Sequence, residues 1–507
     1  MNNGKICVSV CAETADELIQ QIKRAEDLAD VIEIRFDCLK ESQIEAALSN
    51  LPVSNCLLAT FRTKGQGGKR DSTLRERLTF WQKFLIHNKN KIFYADFEAD
   101  TLIFPNLVKA KTILSQHFFD KIPSELAETY AVLGQFSQAD IIKIAVQTND
   151  ITDSVAVWKI LEKAKSENRQ IIPIAMGESG KWTRILGLAH GAFMTYAALD
   201  AGQETAPGQV SARDLLEVYR VKELDEETEV YGILGSNTSV SMSPYIHNAA
   251  FKYHDLNAVF VPLQVQNLDE FIRRMVKPET REIDLNFRGF SVTIPHKQTI
   301  IKHLDFVDET AKKIGAVNTV KIVDGKLYGY NTDAQGFIEP LLNSYGDLKG
   351  ARVAVIGAGG AARACVYALK NAGAEVTIFA RNIEKAKGLA TDFEVELKEL
   401  PKTEDQKPKT HFGDFDIFVN TTPLGMKGKA DGETPATAEQ LKGLDLVYDL
   451  IYIPFQTPLM TEADKADVLK IGGLAMLIAQ AIEQQKIWTG LDAPIKEMSR
   501  AALERLK

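Results

Sequence analysis

The sequence predicts an α/β protein in two halves. The first half is built from eight strand–helix units, and the second carries a nucleotide-binding lobe. Three observations predict this. Strand-like runs recur eight times in the first 200 residues, with amphipathic helical stretches between most of them. An apolar strand, a glycine turn and a helix follow one another over residues 351–371. A short acidic run, Lys222 to Glu229, separates the two patterned regions and reads as the boundary.

At 507 residues the chain has room for about three domains of roughly 150 residues each. With 45% hydrophobic and 25% charged residues, collagenous, mucin-like and wholly disordered classes are excluded. The formal charge is −8, so no general attraction draws the chain to nucleic acid or to an anionic membrane. Small molecules are the expected partners, and nothing in the sequence demands an oligomer. No apolar run reaches the roughly 18 residues needed to span a bilayer. Residues 1–5 lead straight into a strand without a signal pattern, and a cytoplasmic protein is expected. The cysteines, Cys7, Cys11, Cys38, Cys56 and Cys365, are odd in number and lack zinc-type or CxxC spacing. They are expected to be free buried thiols in a reducing compartment, with no metal site.

The strand-like runs cover residues 5–12, 31–37, 56–62, 91–99, 111–118, 140–148, 170–177 and 193–199. Helical stretches at 15–28, 73–87, 124–138 and 152–167 lie between them. Such alternation predicts a parallel sheet with right-handed crossovers. Eight strands close a TIM barrel, and an open doubly wound sheet is the alternative. In a barrel, chemistry sits at the C-terminal strand ends. Those ends hold Glu33, Arg35, Arg62, Glu98, His117, Lys143 and Met176, a polar set in otherwise aliphatic segments.

Lys143 stands inside Ile141-Ile142-Lys143-Ile144-Ala145-Val146. Desolvation there lowers an amine's pKa, and a neutral amine can attack a carbonyl to form a Schiff base. A lysine paired with a carboxylate is the bland alternative. His117 ends the preceding strand, where an imidazole can move the protons that follow imine formation. Arg35, Arg62 and Arg184 offer guanidinium forks for a substrate carboxylate, or are surface ion-pair partners.

These residues resemble type I 3-dehydroquinase over about residues 5–222. The resemblance rests on Glu33-Ile-Arg35-Phe-Asp37, Phe61-Arg62, His117, Asp140-Ile-Ile-Lys143-Ile-Ala and Ala206-Pro-Gly-Gln209. It implies a (β/α)8 TIM barrel in which Lys143 forms the imine with 3-dehydroquinate and His117 is the general acid/base. Glu33, Arg35, Arg62, Arg184, Thr205 and Gln209 fall where the family binds substrate. The chain departs from the family at Gln66-Gly67-Gly68, where an acid commonly precedes the glycines, and Thr205 stands where serine is usual.

The nucleotide signal is Ala351-Arg-Val-Ala-Val-Ile-Gly357-Ala358-Gly359-Gly360-Ala361-Ala362. The glycines allow a tight turn, and the following helix N-terminus suits a pyrophosphate. The next strand ends in Ala380-Arg381-Asn382, with no acid for a ribose 2′-hydroxyl. Arg381 suits a 2′-phosphate, so NADP is the expected cofactor. Polar clusters flank the loop: Ser241-Met-Ser243-Pro244, Ser291-Val-Thr293-Ile-Pro295-His-Lys297, Gly315-Ala-Val-Asn318 and Asn331-Thr-Asp333. Singly they are turns and caps; together they suit a polyhydroxy carboxylate.

With Asn420-Thr421-Thr-Pro-Leu-Gly425-Met426, Tyr448-Asp-Leu450-Ile-Tyr452-Ile-Pro454 and Gly473-Leu-Ala-Met476-Leu-Ile-Ala-Gln480, the second half resembles shikimate dehydrogenase. The resemblance implies a two-lobed unit with a Rossmann NADP-binding lobe. Lys297 and Asp333 are its catalytic pair, and Ser241, Ser243, Thr293, Asn318, Tyr452 and Gln480 contact substrate. Gly357, Ala358, Gly359, Gly360, Ala361, Arg381, Thr421, Met426, Leu450, Gly473 and Met476 form the cofactor site. Ser291 and Ala380 stand where asparagine is usual. Expected boundaries are 1–223 for the barrel, 229–338 with 473–507 for the substrate lobe, and 339–472 for the cofactor lobe.

The two resemblances name consecutive reactions, 3-dehydroquinate to 3-dehydroshikimate to shikimate. Two rivals remain at this stage: a dehydrogenase acting on quinate, and a binding protein whose barrel has lost catalysis, toward which Gln66 leans. The stretch Lys402–Lys409 reads as a solvated polar loop.

Overall fold

Alternation along the first eight strands determines what faces inward. They are β1 Lys5–Val10, β2 Val31–Arg35, β3 Leu57–Thr60, β4 Tyr94–Glu98, β5 Lys111–Phe118, β6 Ile141–Gln147, β7 Ile171–Met176 and β8 Met194–Ala198. Every adjacent pair is parallel, in the order β7-β6-β5-β4-β3-β2-β1-β8. The Phe193 N–H donates to Ile171 O at 2.8 Å, joining the β7 and β8 edges into a barrel. Successive side chains point to opposite faces of a strand. Cys7, Val31, Leu58, Tyr94, Ile113, Ile141, Ile172 and Met194 therefore pack together as an apolar layer. Two residues further along each strand, the inward set becomes Ser9, Glu33, Thr60, Asp96, Ser115, Lys143, Ile174 and Tyr196, all buried. An apolar layer closes one end of the barrel, and a charged layer faces the other.

The computed structural model describes residues 2–52, 56–88, 92–101, 110–120, 122–400, 411–428 and 430–506. The polar loop expected at 402–409 lies outside them. Helices α1 Ala15–Ala25, α2 Glu41–Asn50, α3 Leu74–Asn88, α4 Leu126–Leu133, α5 Ser154–Ser166 and α6 Lys181–Leu186 accompany the strands. In α1 the buried residues Ala15, Leu18, Ile22 and Ala25 recur every three or four positions, and Thr14 caps the first turn by accepting from the Glu17 N–H.

Two expectations change. A ninth strand, β9 Val210–Ser211, pairs with β8, because the loop after β8 turns the chain back beside it. Cys11 and Cys38 form a disulfide with Cα atoms 5.5 Å apart, whereas free thiols were expected. They follow β1 and β2, and pairing of these neighbouring strands brings together residues 27 apart in sequence. Cys7 and Cys365 are buried free thiols, and Cys56 forms no disulfide among the described residues.

The chain divides into two compact units, residues 1–241 with 257–287, and residues 242–256 with 288–507. In the first, β10 Glu229–Gly235 and β11 Ala258–Gln264 pair in parallel. The chain after β11 is fastened to the barrel's loops. Asp150 accepts from the Gln266 and Asn267 N–H groups at 2.6 and 3.1 Å, and the Arg274 guanidinium donates to Thr152 O at 3.2 Å.

The second unit holds helix α7 Ser243–Tyr253 and a small sheet. Strands β12 Phe287–Val292, β13 Phe306–Val307, β14 Thr319–Val323 and β15 Lys326–Tyr330 form it, with β14 antiparallel to both β12 and β15. Its other sheet is entirely parallel, comprising β16 Arg352–Ile356, β17 Glu375–Ala380, β18 Glu396–Glu399, β19 Ile417–Asn420, β20 Leu446–Asp449 and β21 Leu469–Gly472. The order β18-β17-β16-β19-β20-β21 reverses between β16 and β19, as in a doubly wound Rossmann sheet whose crevice lies at that switch. Near-continuous aliphatic strands such as Val353–Ile356 suit burial on both faces. Among the described residues no helix is long and apolar enough to cross a membrane.

Candidate active sites

The first site sits where the barrel's charged layer meets a cavity of about 140 Å³. Ser9, Glu33, Arg35, Arg62, Gln66, His117, Lys143, Arg184, Tyr196, Thr205 and Gln209 all contribute to its wall. Lys143 is central. Its ammonium lies 3.2 Å from Asp96 and 3.9 Å from Glu33, with the Tyr196 ring centroid 3.9 Å away. Burial pushes its pKa below the usual lysine value, partly countered by Asp96 and Glu33. Both carboxylates are held by their own partners. Ser9 and Thr60 donate to Glu33 at 2.6 and 2.9 Å. Arg62 and Ser115 donate to Asp96 at 2.5 and 2.6 Å. Burial opposes the Asp96 charge, yet Arg62 and Lys143 hold its carboxyl below the ordinary range.

His117 faces this cluster. Burial, then the positive charges of Arg62, Lys143 and Arg35, push its pKa well below the usual imidazole value. The ring is neutral at pH 7, as a base must be. Among the described residues its buried Nδ1 has no hydrogen-bond partner. Gln66 occupies the place of the usual acid and serves the backbone instead, accepting from the His117 N–H at 2.8 Å. Phe119 lies parallel to the imidazole, ring centroids 6.2 Å apart.

The three arginines are not equivalent. Arg35 makes a bidentate pair with Asp37 at 2.9 and 2.8 Å, and Arg62 is committed to Asp96 and Ser115. Arg184, buried on α6, donates to Tyr196 O and Pro207 O at 3.4 and 3.2 Å, and its Nε has no partner among the described residues. Among the described residues it has no carboxylate partner, and burial lowers its pKa to about 10. Glu98 takes a different role from the other strand-end residues. It pairs with Arg77 at 2.8 Å and accepts from the Thr63 N–H at 3.0 Å, outside the cavity wall. Thr205 and Gln209 close the mouth, with Gln209 Oε1 accepting from the Thr205 N–H at 2.7 Å. Gly208 allows this loop to lie on the end of β7: its φ is +72°, and a Cβ there would meet Gly177 O at 2.2 Å.

The second site lies in the second unit, where β12, β14, helix α10 Asp333–Tyr345 and helix α15 Gly473–Thr489 converge. Lys297 is ion-paired with Asp333. Asn318 Nδ2 donates to Asp333 Oδ1 at 2.8 Å and to Thr332 Oγ1 at 2.9 Å, and approaches Gln480 Oε1 at 3.5 Å. Asp333, Gln480, Asn318 and Ser243 are all buried, and Thr293 is half-buried. Ser241 belongs to the first unit, where its N–H donates to Thr238 O at 3.2 Å. Gln484, one turn after Gln480, accepts from Ser291 at 2.7 Å and donates to Thr319 Oγ1 at 2.9 Å.

The glycine loop leads into this cluster. Gly357, at φ +111°, faces Thr421, whose Oγ1 would stand 2.6 Å from a Cβ. Helix α11 Gly360–Asn371 starts after Gly359 without a side-chain cap, so its first N–H groups are available to an anion. A Cβ on Gly360 would lie 3.4 Å from Lys297 Cδ, which places Gly359–Ala361 beside the Lys297–Asp333 pair. Arg381 is exposed just beyond β17, and the neighbouring Asn382 caps helix α12 Ile383–Phe393 by accepting from the Lys385 N–H at 2.9 Å. Leu450 and Met476 share one apolar cluster, and the Gly473 N–H reaches Ile451 O at 3.2 Å. Met426 and Tyr452 are half-buried; burial raises the Tyr452 phenol to about 12. The donor set fits a phosphorylated dinucleotide: bare helix N–H groups, a turn whose one side chain is the Ala358 methyl, and an exposed guanidinium where an acid would repel phosphate.

Family profiles match both units. The type I 3-dehydroquinase profile covers residues 6–226, and the shikimate dehydrogenase substrate-binding domain covers 233–320. The shikimate/quinate 5-dehydrogenase profile covers 341–423 and the shikimate 5′-dehydrogenase C-terminal domain 473–503. The bifunctional 3-dehydroquinate dehydratase/shikimate dehydrogenase, chloroplastic, of Arabidopsis thaliana is 35% identical over 97% of this chain and 83% of its own length. The chain belongs to the bifunctional 3-dehydroquinate dehydratase/shikimate dehydrogenase family. It therefore combines a dehydratase, a lyase, with a dehydrogenase, an oxidoreductase. The shikimate dehydrogenase (NADP(+)) of Caldanaerobacter subterraneus is 40% identical over 53% of this chain and 94% of its own length. A crystal structure of a shikimate dehydrogenase in complex with NADP+ shares 36% identity, with a TM-score of 0.50, over 56% of this chain and 98% of that one. The binding-only alternative for the barrel loses its footing, because the barrel matches the dehydratase family along its length.

Sequence reasoning missed Asp96, Ser115, Tyr196 and Gln484. A signal existed for the first three, since each lies two residues from an inward-facing apolar residue of its strand. Gln484 was visible only as one helical turn beyond Gln480.

Proposed function

We propose that the first unit dehydrates 3-dehydroquinate through an imine on Lys143. The second unit then reduces the 3-dehydroshikimate to shikimate with NADPH. The observation that carries this reading is a buried amine of lowered pKa on the wall of a ring-sized cavity, facing a neutral imidazole and an arginine without an acid. Arg184 takes the substrate carboxylate, a charge that the otherwise balanced cluster needs. The Lys143 amine adds to the ketone carbon, and the carbonyl oxygen leaves as water, giving a protonated imine. His117 removes a proton from the adjacent carbon. The resulting enamine expels the ring hydroxyl, which takes that proton from His117 and departs as water. A further water releases Lys143 and the unsaturated ketone. Glu33, Arg35, Arg62, Thr205 and Gln209 orient the ring hydroxyls.

In the second site, NADPH, held by Gly357–Ala361, Thr421 and Arg381, supplies the hydride when bound. Met426, Leu450, Gly473 and Met476 wall the nicotinamide pocket. Lys297 and Asp333 hold the reacting oxygen and its proton, while Ser241, Ser243, Thr293, Asn318, Tyr452 and Gln480 fix the ring. The proposed lobes are 1–223, 229–338 with 473–507, and 339–472. A cytoplasmic location is part of the proposal, tested by fractionation of tagged protein.

The test is borohydride reduction with 3-dehydroquinate, followed by mass spectrometry. An adduct on Lys143, absent in Lys143→Ala, is expected; adduct-free protein that still dehydrates the substrate overturns the imine. NADPH oxidation on 3-dehydroshikimate should fall at least about 100-fold in Lys297→Ala. Near-normal turnover removes Lys297 from the mechanism. NADH and quinate serve as the comparison cofactor and substrate.

A further inference from the structure

Tyr196 has no part in the reaction as described, yet its ring is among the nearest neighbours of the reacting nitrogen. It sits on β8, 3% exposed, with the Lys143 ammonium 3.9 Å from the ring centroid. Among the described residues its buried hydroxyl has no hydrogen-bond partner.

The neighbours of Lys143 explain why a ring is useful there. An ammonium has three N–H bonds and can serve Asp96 at 3.2 Å while facing Glu33 at 3.9 Å. A protonated imine keeps one N–H bond. At most one carboxylate retains a hydrogen bond when the substrate is attached, though the positive charge remains. A π face attracts that charge whatever the number of N–H bonds, and the attraction is strongest in a desolvated site. It also carries no charge and takes no proton, so it does not trap the amine as an ammonium in the way a third carboxylate would.

We propose that the Tyr196 ring face is the seat of the cation at Lys143, stabilising the imine's positive charge where hydrogen bonds are lost. This rests on the imine reading above. The other titratable groups around Lys143 are Cys7 on β1, Glu33 and Arg35 on β2, Arg62 after β3, Asp96 on β4, His117 on β5 and Arg184 on α6. β7 supplies only Ile174 and Met176. None of these changes when residue 196 is replaced.

The experiment compares Tyr196→Phe and Tyr196→Leu with wild type, following dehydration against pH and borohydride trapping of 3-dehydroquinate. Tyr196→Phe keeps the ring and should hold kcat within about twofold. Tyr196→Leu loses the π face. Its kcat should fall about tenfold, and the acid limb of kcat/KM should move down by about one pH unit, because the free ammonium is also less stabilised. A structural role alone would not move that limb. An unchanged limb and kcat in Tyr196→Leu, or equal losses in both variants, overturns the proposal. If Tyr196→Leu does not fold, mono-, di- and trifluorophenylalanine at position 196 weaken the ring face stepwise at nearly constant shape. A progressive fall in kcat supports the proposal, and a flat series overturns it. Trapping in wild type separates the two ideas: no wild-type adduct defeats the imine reading itself, whereas an adduct with an indifferent ring defeats only the role of Tyr196.

Discussion

His117 shows how one side chain can be legible in sequence while its state is not. Its position at a strand end marks it as a proton carrier, but its neutrality comes from burial and from Arg62, Lys143 and Arg35, each on a different segment. The missing acid at position 66 was the clearest departure from the family pattern. Its effect depends on an atom: Gln66 Oε1 accepts from the His117 backbone, so the amide positions the strand end and leaves the ring alone. A carboxylate there keeps this acceptor and adds a negative charge beside the imidazole, which favours its protonated form. Gln66→Glu should therefore raise the His117 midpoint by about one unit, read by NMR titration of the ring protons. An unshifted midpoint would show that the charge at residue 66 is screened from the ring. Arg184 offers a second test at this scale. Arg184→Lys keeps a charge but loses the planar fork, so KM for 3-dehydroquinate should rise about tenfold with kcat changed less.

The eight barrel strands were legible as elements because aliphatic runs between turns recur at even spacing. Their inward residues could be listed once alternation was followed along each strand. Asp96 and Tyr196 share a layer with Glu33 and Lys143 and were missed because alternation was not followed inward from Tyr94 and Met194, which fix their orientation. The Cys11–Cys38 bond was not legible, since only the pairing of β1 with β2 makes those residues neighbours. The attachment of the chain after β11 was equally hidden. There, Glu282 joins Lys159 of α5 and Arg274, the latter at 2.5 Å. These two cations lower the Glu282 pKa to about 2. A depressed carboxyl gives stability that is full above its unfolded value near 4.5 and is lost as pH falls through 2. Glu282→Gln should thus cost about 1 kcal/mol at pH 7, discounted for partial exposure, and nothing near pH 2. Denaturant melts of the whole protein at both pH values measure it. An equal deficit at pH 2 would mean that packing, not charge, is what the glutamate supplies.

At the scale of the whole chain, the decisive feature is that the catalytic groups of each centre lie within one unit. Lys143, His117, Arg184, Asp96 and Tyr196 all lie in the first, and Lys297, Asp333, Asn318, Gln480 and the glycine loop all lie in the second. Two motif sets that do not interleave made the two centres readable, but the compact units divide at 241/242, 256/257 and 287/288, which the acidic run at 222–229 does not mark. A residue removed from one centre leaves the other with every group it needs. Lys143→Ala should abolish dehydration and leave reduction of 3-dehydroshikimate within about twofold, while Lys297→Ala should do the converse. Mixed in equal amounts, the two variants should then carry 3-dehydroquinate through to NADPH oxidation. A lag is expected while the intermediate accumulates toward a KM in the ordinary micromolar to millimolar range, followed by a rate set by the slower reaction. The lag should shorten as enzyme concentration rises, because the intermediate crosses bulk water between molecules. Failure of the mixture, with each single activity intact, would show that the intermediate must pass between the two centres of one chain.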